Sequence, residues 1–410
     1  MVRKWLQGLV ASAAMFGAVG VAQAQEIKFW TLSFSTPEVA KAYAQIVKGF
    51  EAENPGVTVK IENRGTDEHK SAMRVAAGSD QGPDIYFMWA GLGLGGEFVK
   101  SGLALPMDKY YAEYKWDDEF LQPALAGSRQ YPGGRFGIPS TFRGEGLYYN
   151  KALFKKAGIE KVPTTYAELV AAADKLAAAH IPAITFGGTV NWHVMRLMDE
   201  LLEVKCGAEK HDALMSMKVS WADEPCATAA FEEFHRWTSK YTLKPFMGID
   251  QAQSFNLFLA GRAAMMLEGN WLVGQLKAAN RLADFGVFPF PGASRLYGFA
   301  EYNYISSKSK HPDLAAKFLN YLESTPVQQA NLAAFGSSVN KNVKSDSEEP
   351  LDLAWAKIFN DYSQVFVNGD QAFPLDVTTE YFRVINEVAS DRLDPKAAAA
   401  QLQKFIASRK

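Results

Sequence analysis

The sequence has few of the residues on which metal or thiol chemistry depends. Its 410 residues include two cysteines and six histidines. The histidines show no HExxH or other zinc-ligand spacing, and the cysteines form no CxxC motif. We therefore expect no metal site, no redox role and no cofactor.

Motifs that would mark an enzyme are also scarce. No G-x-S-x-G is present, so no nucleophile elbow is expected. Residues 91–96 (GLGLGG) contain a literal G-x-G-x-x-G, but it follows the third strand of its unit. A glycine-rich turn that other groups can approach closely is the better interpretation. The adjacent acids Asp67 and Glu68 are more typical of a solvated surface than of a glycosidase. These patterns predict a protein that is not an enzyme.

Neither sign of charge dominates the chain. The chain has 43 lysine and arginine residues and 45 aspartate and glutamate residues, which gives a net charge of −2. A nucleic acid or an anionic membrane surface would favour a clear excess of positive charge, so neither is expected as a partner.

Only the N-terminus carries a long apolar run. Residues 6–21 are small and apolar, a positively charged start precedes them, and residues 22–24 (AQA) fit a small-x-small cleavage site. We expect residues 1–24 to be a signal peptide; a membrane anchor is the alternative, although alanine and glycine dilute the run. Gln25 would begin the mature chain. Gln25 is not a cysteine and cannot carry a lipid anchor, so we expect the mature protein to diffuse in the periplasm. We also expect it to be a monomer.

Export would place Cys206 and Cys226 in an oxidising compartment, where two cysteines are more often bridged than free. We expect a disulfide between them. The intervening segment is polar and irregular, so the disulfide would hold together the two ends of a loop. Closing such a loop contributes about 3 kcal/mol.

The mature part of the chain predicts two α/β domains. Residues 26–32, 57–62 and 83–89 are strand-like, and residues 37–53 and 69–78 between them have helical spacing of apolar side chains. This β-α-β-α-β order is typical of a mostly parallel sheet flanked by helices. A chain of 410 residues also exceeds what one core usually holds.

The stretch GIPSTFRGEGLYYN predicts a passage from one domain to the other. Two short strand-like pieces, 136–138 and 146–149, flank a polar connector at 140–145. The connector carries Arg143 and Glu145, two charges that a spacer would not need. We expect a hinge whose glycines bend and whose charged side chains line a cleft between domains, where small-molecule sites tend to occur.

Aromatic residues follow the carboxyl ends of several predicted strands, where open α/β sheets bind their ligands. They are Phe34, Trp89, Trp192 and Trp271. Aromatic faces beside mixed polar groups suit sugars, because the C–H face of a sugar stacks and its hydroxyls need donors and acceptors. The polar candidates for the same site are Ser33, Asp67, Arg143, Glu145, Asn270 and Glu301.

Taken together, the chain resembles the family-1 extracellular solute-binding proteins, the periplasmic sugar-binding components of ABC importers. The segments that carry the resemblance are EIKFWTL with FEAENPGVTVKIE, GPDIYFMWAG, GIPSTFRGEGLYYNKALFKKAGI with PTTYAEL, FLAGRAAMMLEGNW, and KHPDLAAKFLNYLESTPVQQA. The resemblance implies a two-lobed periplasmic-binding-protein fold of type II, with hinge strands between α/β lobes. It implies a first lobe of residues 25–142 and 286–332 and a second lobe of residues 143–285 and 333–410.

The same resemblance implies a function and sharpens the site. Trp89 and Trp271 match the recurrent aromatic positions of the family best, and Trp192 matches a looser one. The chain departs from the family near Ser337, where it reads GSSVNKN and lacks an early proline. The implied function is capture of a carbohydrate, in particular a di- or oligosaccharide, and its delivery to the membrane permease of an ABC importer.

Two alternatives stay open on the residues alone. One is a binding protein for a small non-sugar solute whose carboxylate pairs with Arg143. The other is a periplasmic glycosidase, which needs two carboxyl groups facing each other across a cleft. Whether Arg143 would contact a ligand or only pair with Glu145 is also open.

Overall fold

A computed structural model describes residues 25–409, which contain alternating strands and helices. The predicted signal peptide, residues 1–24, lies outside the described part of the chain. The strands are β1 (Gln25–Leu32), β2 (Val57–Arg64), β3 (Ile85–Trp89), β4 (Ile138–Asn150), β5 (Ile184–Thr185), β6 (Met265–Gly269), β7 (Phe285–Phe288), β8 (Leu296–Ile305) and β9 (Val365–Phe366).

The helices cover both faces of the sheet that these strands form. They are α1 (Pro37–Glu53), α2 (Thr66–Ala77), α3 (Gly95–Lys100), α4 (Asp108–Tyr114), α5 (Trp116–Glu119), α6 (Gln122–Leu125), α7 (Lys151–Lys156), α8 (Tyr166–Ala178), α9 (Asn191–Met215), α10 (Pro225–Arg236), α11 (Gln251–Leu259), α12 (Leu272–Ala278), α13 (Pro312–Leu322), α14 (Thr325–Phe335), α15 (Pro350–Asp361), α16 (Gly369–Ala372), α17 (Leu375–Ala389) and α18 (Pro395–Ser408). Within residues 25–409, no helix combines the length and the apolar character needed to cross a membrane.

Local sequence signals explain where the first helix begins and which face it buries. The Thr36 hydroxyl accepts a hydrogen bond from the Val39 amide at 3.3 Å, and a proline follows the cap. This is the usual start of a helix, because the cap satisfies an amide that has no partner inside the helix. Ala42, Ile46 and Phe50 then repeat at helical spacing and are buried against the sheet.

The sheet is mixed, and parallel pairing is confined to part of it. Its order is β2-β1-β3-β8-β4-β6-β5, with β7 on β4 and β9 on β8. β1 pairs in parallel with β2 and β3, as the β-α-β-α-β order predicts. β4 and β8, however, run antiparallel to each other and to most of their neighbours. The expectation of mostly parallel sheets therefore holds for the first three strands and not for the centre of the molecule.

The predicted connector at residues 140–145 is part of a continuous strand, which corrects the sequence interpretation. β4 runs unbroken over 13 residues. Its first half pairs with β8, ending at Gly144 opposite Gly298, and its second half begins at Glu145 opposite Gly269 of β6. The chain thus passes between domains as a hydrogen-bonded strand. Its polar residues break the apolar pattern because some side chains of this strand face a cleft instead of a core.

Two large hydrophobic clusters divide the molecule into two lobes. One contains Phe29, Met88 and Tyr304 and draws its residues from positions 27–138 and 300–339. The other contains Leu201 and Phe231 and draws on positions 147–290 and 373–402. A third, smaller cluster around Trp355 lies on the other side of β4 and β6 in the second lobe. The fold is the two-lobed α/β arrangement that the sequence predicts.

The clusters bear on the lobe boundaries, which stay a prediction. Phe288 and Phe290, assigned by sequence to the first lobe, pack in the large cluster of the second. Val339, assigned to the second lobe, packs in the cluster of the first. We propose that the chain returns to the first lobe within β8 and leaves it again after Val339, beyond the expected crossover near Ser337.

Two other predictions can be compared directly with the structure. Cys206 and Cys226 form a disulfide with an S–S distance of 2.09 Å, which confirms the expected pairing. The sequence pattern also predicts a helix over residues 353–366, but α15 stops at Asp361 and residues 365–366 pair with β8 as β9.

Candidate functional site

A cleft of about 350 Å³ lies between the two lobes, where β4 and β8 pass from one to the other. Both lobes contribute side chains to its walls. The first lobe supplies Thr31, Ser33, Phe34, Tyr43, Lys70, Trp89, Thr141 and Glu301, and the second supplies Trp192, Arg196, Gln251, Trp271, Gln275, Asn368 and Asp370. A molecule enclosed here would touch both lobes at once.

The structure brings most of the predicted site residues together in this cleft. Those that line it are Ser33, Phe34, Trp89, Arg143, Trp192, Trp271 and Glu301. They come from β1, β3, β4, β8 and the starts of α9 and α12, so the fold gathers residues spread over most of the chain.

Three predicted site residues lie elsewhere. Asn270 lines a neighbouring cavity and not the main cleft. Asp67 is exposed in the first turn of α2 and borders a groove outside the cleft. Glu145 is fully buried behind the cleft wall, where the sequence interpretation had it facing a ligand. Glu145 lies two residues after Arg143 and so on the same face of β4. It belongs, however, to the half of the strand that pairs with β6, where Arg196 of the second lobe packs against it.

Aromatic rings from both lobes form the apolar surfaces of the cleft. In the first lobe, Phe34 stacks on Tyr43 with ring centroids 4.9 Å apart, and Trp89 meets Phe87 edge to face at 4.8 Å. In the second lobe, the Trp271 ring lies 6.1 Å from that of Phe299. These contacts fix the orientation of rings that remain partly exposed to the cleft.

Arg143 is neutralised by a partner other than the one considered from the sequence. Its Nε donates to Oε2 of Glu301 at 2.9 Å, and both side chains are mostly buried. β4 and β8 place the two residues near each other on adjacent strands. The cleft therefore presents this arginine as half of an ion pair, with no net charge from the pair.

Arg196, which sequence reasoning missed, organises the second-lobe wall. Its guanidinium lies 4.6 Å from the Trp192 ring centre and 5.0 Å from that of Trp271. It also donates to Glu268 at 2.7 Å and lies 3.0 Å from a carboxyl oxygen of Glu145. One spacing could have revealed it, because Arg196 is four residues after Trp192 on a predicted helix, and such residues lie on the same face.

The two acids beside Arg196 differ in their ionisation. Burial raises the pKa of Glu145 to about 8, and Arg196 opposes this shift only in part. Burial would also raise the pKa of Glu268, but the closer guanidinium outweighs it and lowers that pKa to about 2. One guanidinium thus neutralises one carboxylate, and the other carboxyl group keeps its proton at neutral pH.

Glycines at one margin of the cleft let the two lobes approach each other. The amide of Leu92 donates to the carbonyl of Gln371 in the other lobe at 2.7 Å. A Cβ on Gly91 would lie 2.4 Å from that carbonyl oxygen, and a Cβ on Gly93 would lie 2.6 Å from the carbonyl oxygen of Phe373. The group that approaches the glycine-rich turn is therefore the backbone of the second lobe.

No group of three or more His, Cys, Asp or Glu side chains within residues 25–409 is arranged to hold a metal ion. The cleft instead offers hydrogen-bonding groups of both kinds. Side-chain amides come from Gln251, Gln275, Asn303 and Asn368, and hydroxyls from Thr31, Ser33 and Thr141. Such amides and hydroxyls can both donate and accept.

Comparisons with known proteins agree with this geometry. A solved chitin oligosaccharide binding protein superposes with a TM-score of 0.84 at 22% identity, covering 93% of this chain and 98% of that one. A maltodextrin-binding protein of Bacillus subtilis is 26% identical over 359 residues, 82% of this chain and 80% of the relative. An ABC transporter extracellular-binding protein of Pyrococcus horikoshii, itself uncharacterized, is 22% identical over 390 residues, 92% of this chain and 86% of the relative.

The family model described as bacterial extracellular solute-binding protein matches residues 35–329. That span includes β2 and β3 of the first lobe, the crossover strands β4 and β8, and most of the cleft-lining residues. The chain therefore belongs to the family of bacterial extracellular solute-binding proteins.

Proposed function

We propose that this protein captures a carbohydrate, in particular a di- or oligosaccharide, between its lobes and delivers it to the membrane permease of an ABC importer. The observation that carries the proposal is the pairing of aromatic faces from both lobes, Phe34 and Trp89 opposite Trp192 and Trp271, around a cleft rich in hydroxyl and amide groups. Sugar rings stack on such faces, and their hydroxyls need both donors and acceptors.

The relatives support the same proposal. The protein from Bacillus subtilis binds maltodextrin by its name, and the one from Pyrococcus horikoshii is named as part of an ABC transporter. A ligand that contacts both lobes stabilises the arrangement in which they are closed. The closed protein with its sugar is then the form that a permease would recognise.

Calorimetry against neutral mono-, di- and oligosaccharides tests the proposal. We expect at least one series to bind, and we expect Trp89→Ala or Trp271→Ala to weaken that binding. Trp30→Ala is a matched control, because Trp30 is a partly buried tryptophan of the first lobe that does not line the cleft. Failure of every sugar to bind would remove the proposal.

The non-sugar alternative has less support from the charges in the cleft. A ligand carboxylate would have to displace Glu301 from Arg143, and the two side chains are 2.9 Å apart. Replacing Arg143 with Ala should therefore weaken ligand binding without abolishing it. Loss of all binding of an acidic solute in this variant would favour the alternative.

We further propose that the protein is not an enzyme and that it diffuses in the periplasm after loss of its leader. Incubation with a bound oligosaccharide should return the sugar intact by mass spectrometry, whereas shortened products would indicate a glycosidase. The same instrument should give a mature mass that begins at Gln25. A mass that retains residues 1–24 would contradict the cleavage.

A further inference from the structure

A second cavity of about 370 Å³ adjoins the cleft beyond Trp271. We call it the side compartment. It shares Tyr43, Arg143 and Trp271 with the cleft, so the two spaces meet at these side chains. Trp271 therefore borders both the cleft and the side compartment.

Like the cleft, the side compartment has walls from both lobes. The first lobe contributes residues of α1 and α14 and the segment 336–338. The second contributes Asn270, residues of α12, and Trp355 and Phe359 of α15. A group held here would add contacts to both lobes and would favour the same closed arrangement.

Three buried polar atoms around the side compartment have no hydrogen-bond partner. They are Oε2 of Glu323, Oδ1 of Asn270 and Oγ of Ser337. Glu323 lines the cavity and is buried, with only 2% of its surface exposed. An unpartnered buried polar group costs about 1–3 kcal/mol, so three of them around one cavity indicate a polar occupant.

The chemistry of these groups defines the occupant. Burial raises the pKa of Glu323 well above its usual range, so the group is a carboxylic acid that donates a hydrogen bond at neutral pH. Asn270 offers an acceptor, and the Ser337 hydroxyl can do either. Besides Arg143, which pairs with Glu301, the charged residues of the wall are Lys277 and Asp352, which are of opposite sign. Donors, acceptors and flanking aromatic rings together fit a neutral ring that carries hydroxyl groups.

We propose that the side compartment is a second sugar subsite and that the ligand passes Trp271 with one ring in the cleft and another beside Glu323. This inference rests on the proposed carbohydrate function and adds to it the place of the second sugar unit. The ligand is then a disaccharide or a longer chain, and Glu323 is a residue that contacts it.

Calorimetry on matched sugars tests the inference. For the sugar series that binds, we expect the affinity of the wild type for the disaccharide to be at least about 10-fold higher than for the monosaccharide. A good hydrogen bond and a ring contact together should contribute more than about 1.4 kcal/mol of binding free energy, which corresponds to that factor. Glu323→Leu should lose most of this gain and leave monosaccharide affinity within about twofold. Glu323→Gln keeps a neutral donor and should retain the gain. Glu200→Leu, at a buried acid that does not line the compartment, should leave both affinities unchanged.

Two results would overturn the inference and leave the receptor function intact. One is a wild type that binds monosaccharides as tightly as their disaccharides. The other is a Glu323→Leu variant that weakens both ligands equally, as a purely structural residue would. If the wild type binds no sugar of any length, the proposed function itself is wrong, and the inference falls with it.

Discussion

Arg196 contacts two tryptophans and two carboxyl groups of the second lobe at once. Its side chain is almost entirely buried, so its charge depends on Glu268 for compensation. A buried charge that loses its partner is destabilising, whereas a buried pair replaced as a unit often is not. The residue therefore couples the stability of the lobe to the orientation of the two rings.

We expect Arg196→Met to lower the free energy of unfolding by about 3–5 kcal/mol, because it leaves Glu268 buried without a cation. Adding Glu268→Gln should recover a large part of this loss in the double variant. Chemical denaturation of both single variants and the double variant measures the coupling. Simple additivity of the two single effects would contradict this account of the pair.

Glu145 predicts a distinct dependence of stability on pH. Its pKa is raised from 4.5 to about 8 by burial, so the folded protein holds a proton that the unfolded chain releases above its ordinary pKa. The free energy of unfolding should therefore fall as the pH rises from about 4.5 to about 8, and this contribution should level off above that range.

Glu145→Gln should remove that slope, because glutamine is neutral at every pH. We expect the variant to gain stability relative to the wild type between pH 5 and pH 8, by about 1 kcal/mol or more. Urea denaturation of the wild type and the variant at pH 5 and at pH 8 measures both free energies of unfolding. Parallel slopes for the two proteins would show that Glu145 is ionised in the folded state.

At the scale of elements, β4 combines the roles that the sequence divided between two short strands and a loop. Gly144 is needed for packing at the point where the strand changes partners. A Cβ there would lie 2.7 Å from the Phe359 ring and 3.0 Å from the Trp355 ring of α15. The residue thus allows α15 to pack on the crossover strand, which is a different role from the flexible bend expected from the sequence.

Gly144→Ala should destabilise the protein by about 1–3 kcal/mol, the usual cost of overpacking. Gly248→Ala is the matched control, since a Cβ there would meet nothing within 4 Å. Thermal unfolding of the two variants separates a packing effect from the general effect of replacing glycine. Equal melting temperatures would contradict the proposed contact.

The disulfide fixes α9 to the start of α10 across a separation of 20 residues. Neither cysteine lines the cleft or the side compartment. Replacing both with serine should lower stability by about 3 kcal/mol and leave sugar affinity unchanged. Denaturation and calorimetry on the same sample check both parts, and a large loss of affinity would mean that the bridge also positions the cleft.

At the scale of the molecule, the cleft depends on two lobes that meet at strands β4 and β8 and at the glycine-rich turn. A ligand shifts the balance between open and closed arrangements only through its different affinities for them. We propose that aromatic rings on both lobes provide that difference, because both lobes contribute rings to the cleft.

We therefore predict that removing an aromatic ring from one lobe reduces both the closure of the two lobes and the affinity for the sugar. Small-angle scattering should show the wild type becoming more compact with a saturating sugar. Trp89→Ala, which removes a first-lobe platform, should show a smaller change at saturation, whereas Trp30→Ala should behave like the wild type. Full compaction of the Trp89→Ala protein would mean that other first-lobe contacts drive closure.

Much of this architecture could be predicted from the sequence, for local reasons. Capping residues, apolar periodicity and proline and glycine positions placed α1, α2, β1 and β3 within a few residues. The spacing of aromatics after strands indicated the four aromatic residues Phe34, Trp89, Trp192 and Trp271 of the cleft, and the exported pair of cysteines indicated the disulfide. These features depend on neighbours along the chain, so the chain itself records them.

The remaining features depend on contacts between distant segments. Whether residues 140–145 form a loop or a strand was decided by β8 and β6, which supply the missing hydrogen-bond partners. Glu145 is buried and Arg143 pairs with Glu301 because different distant segments pack against each of them. Arg196 meets Glu145 and Glu268, and Glu323 shares a cavity with Asn270, only because the fold joins distant segments of the chain. Local sequence determined the elements and the family, and tertiary packing decided which charges meet and which face the ligand.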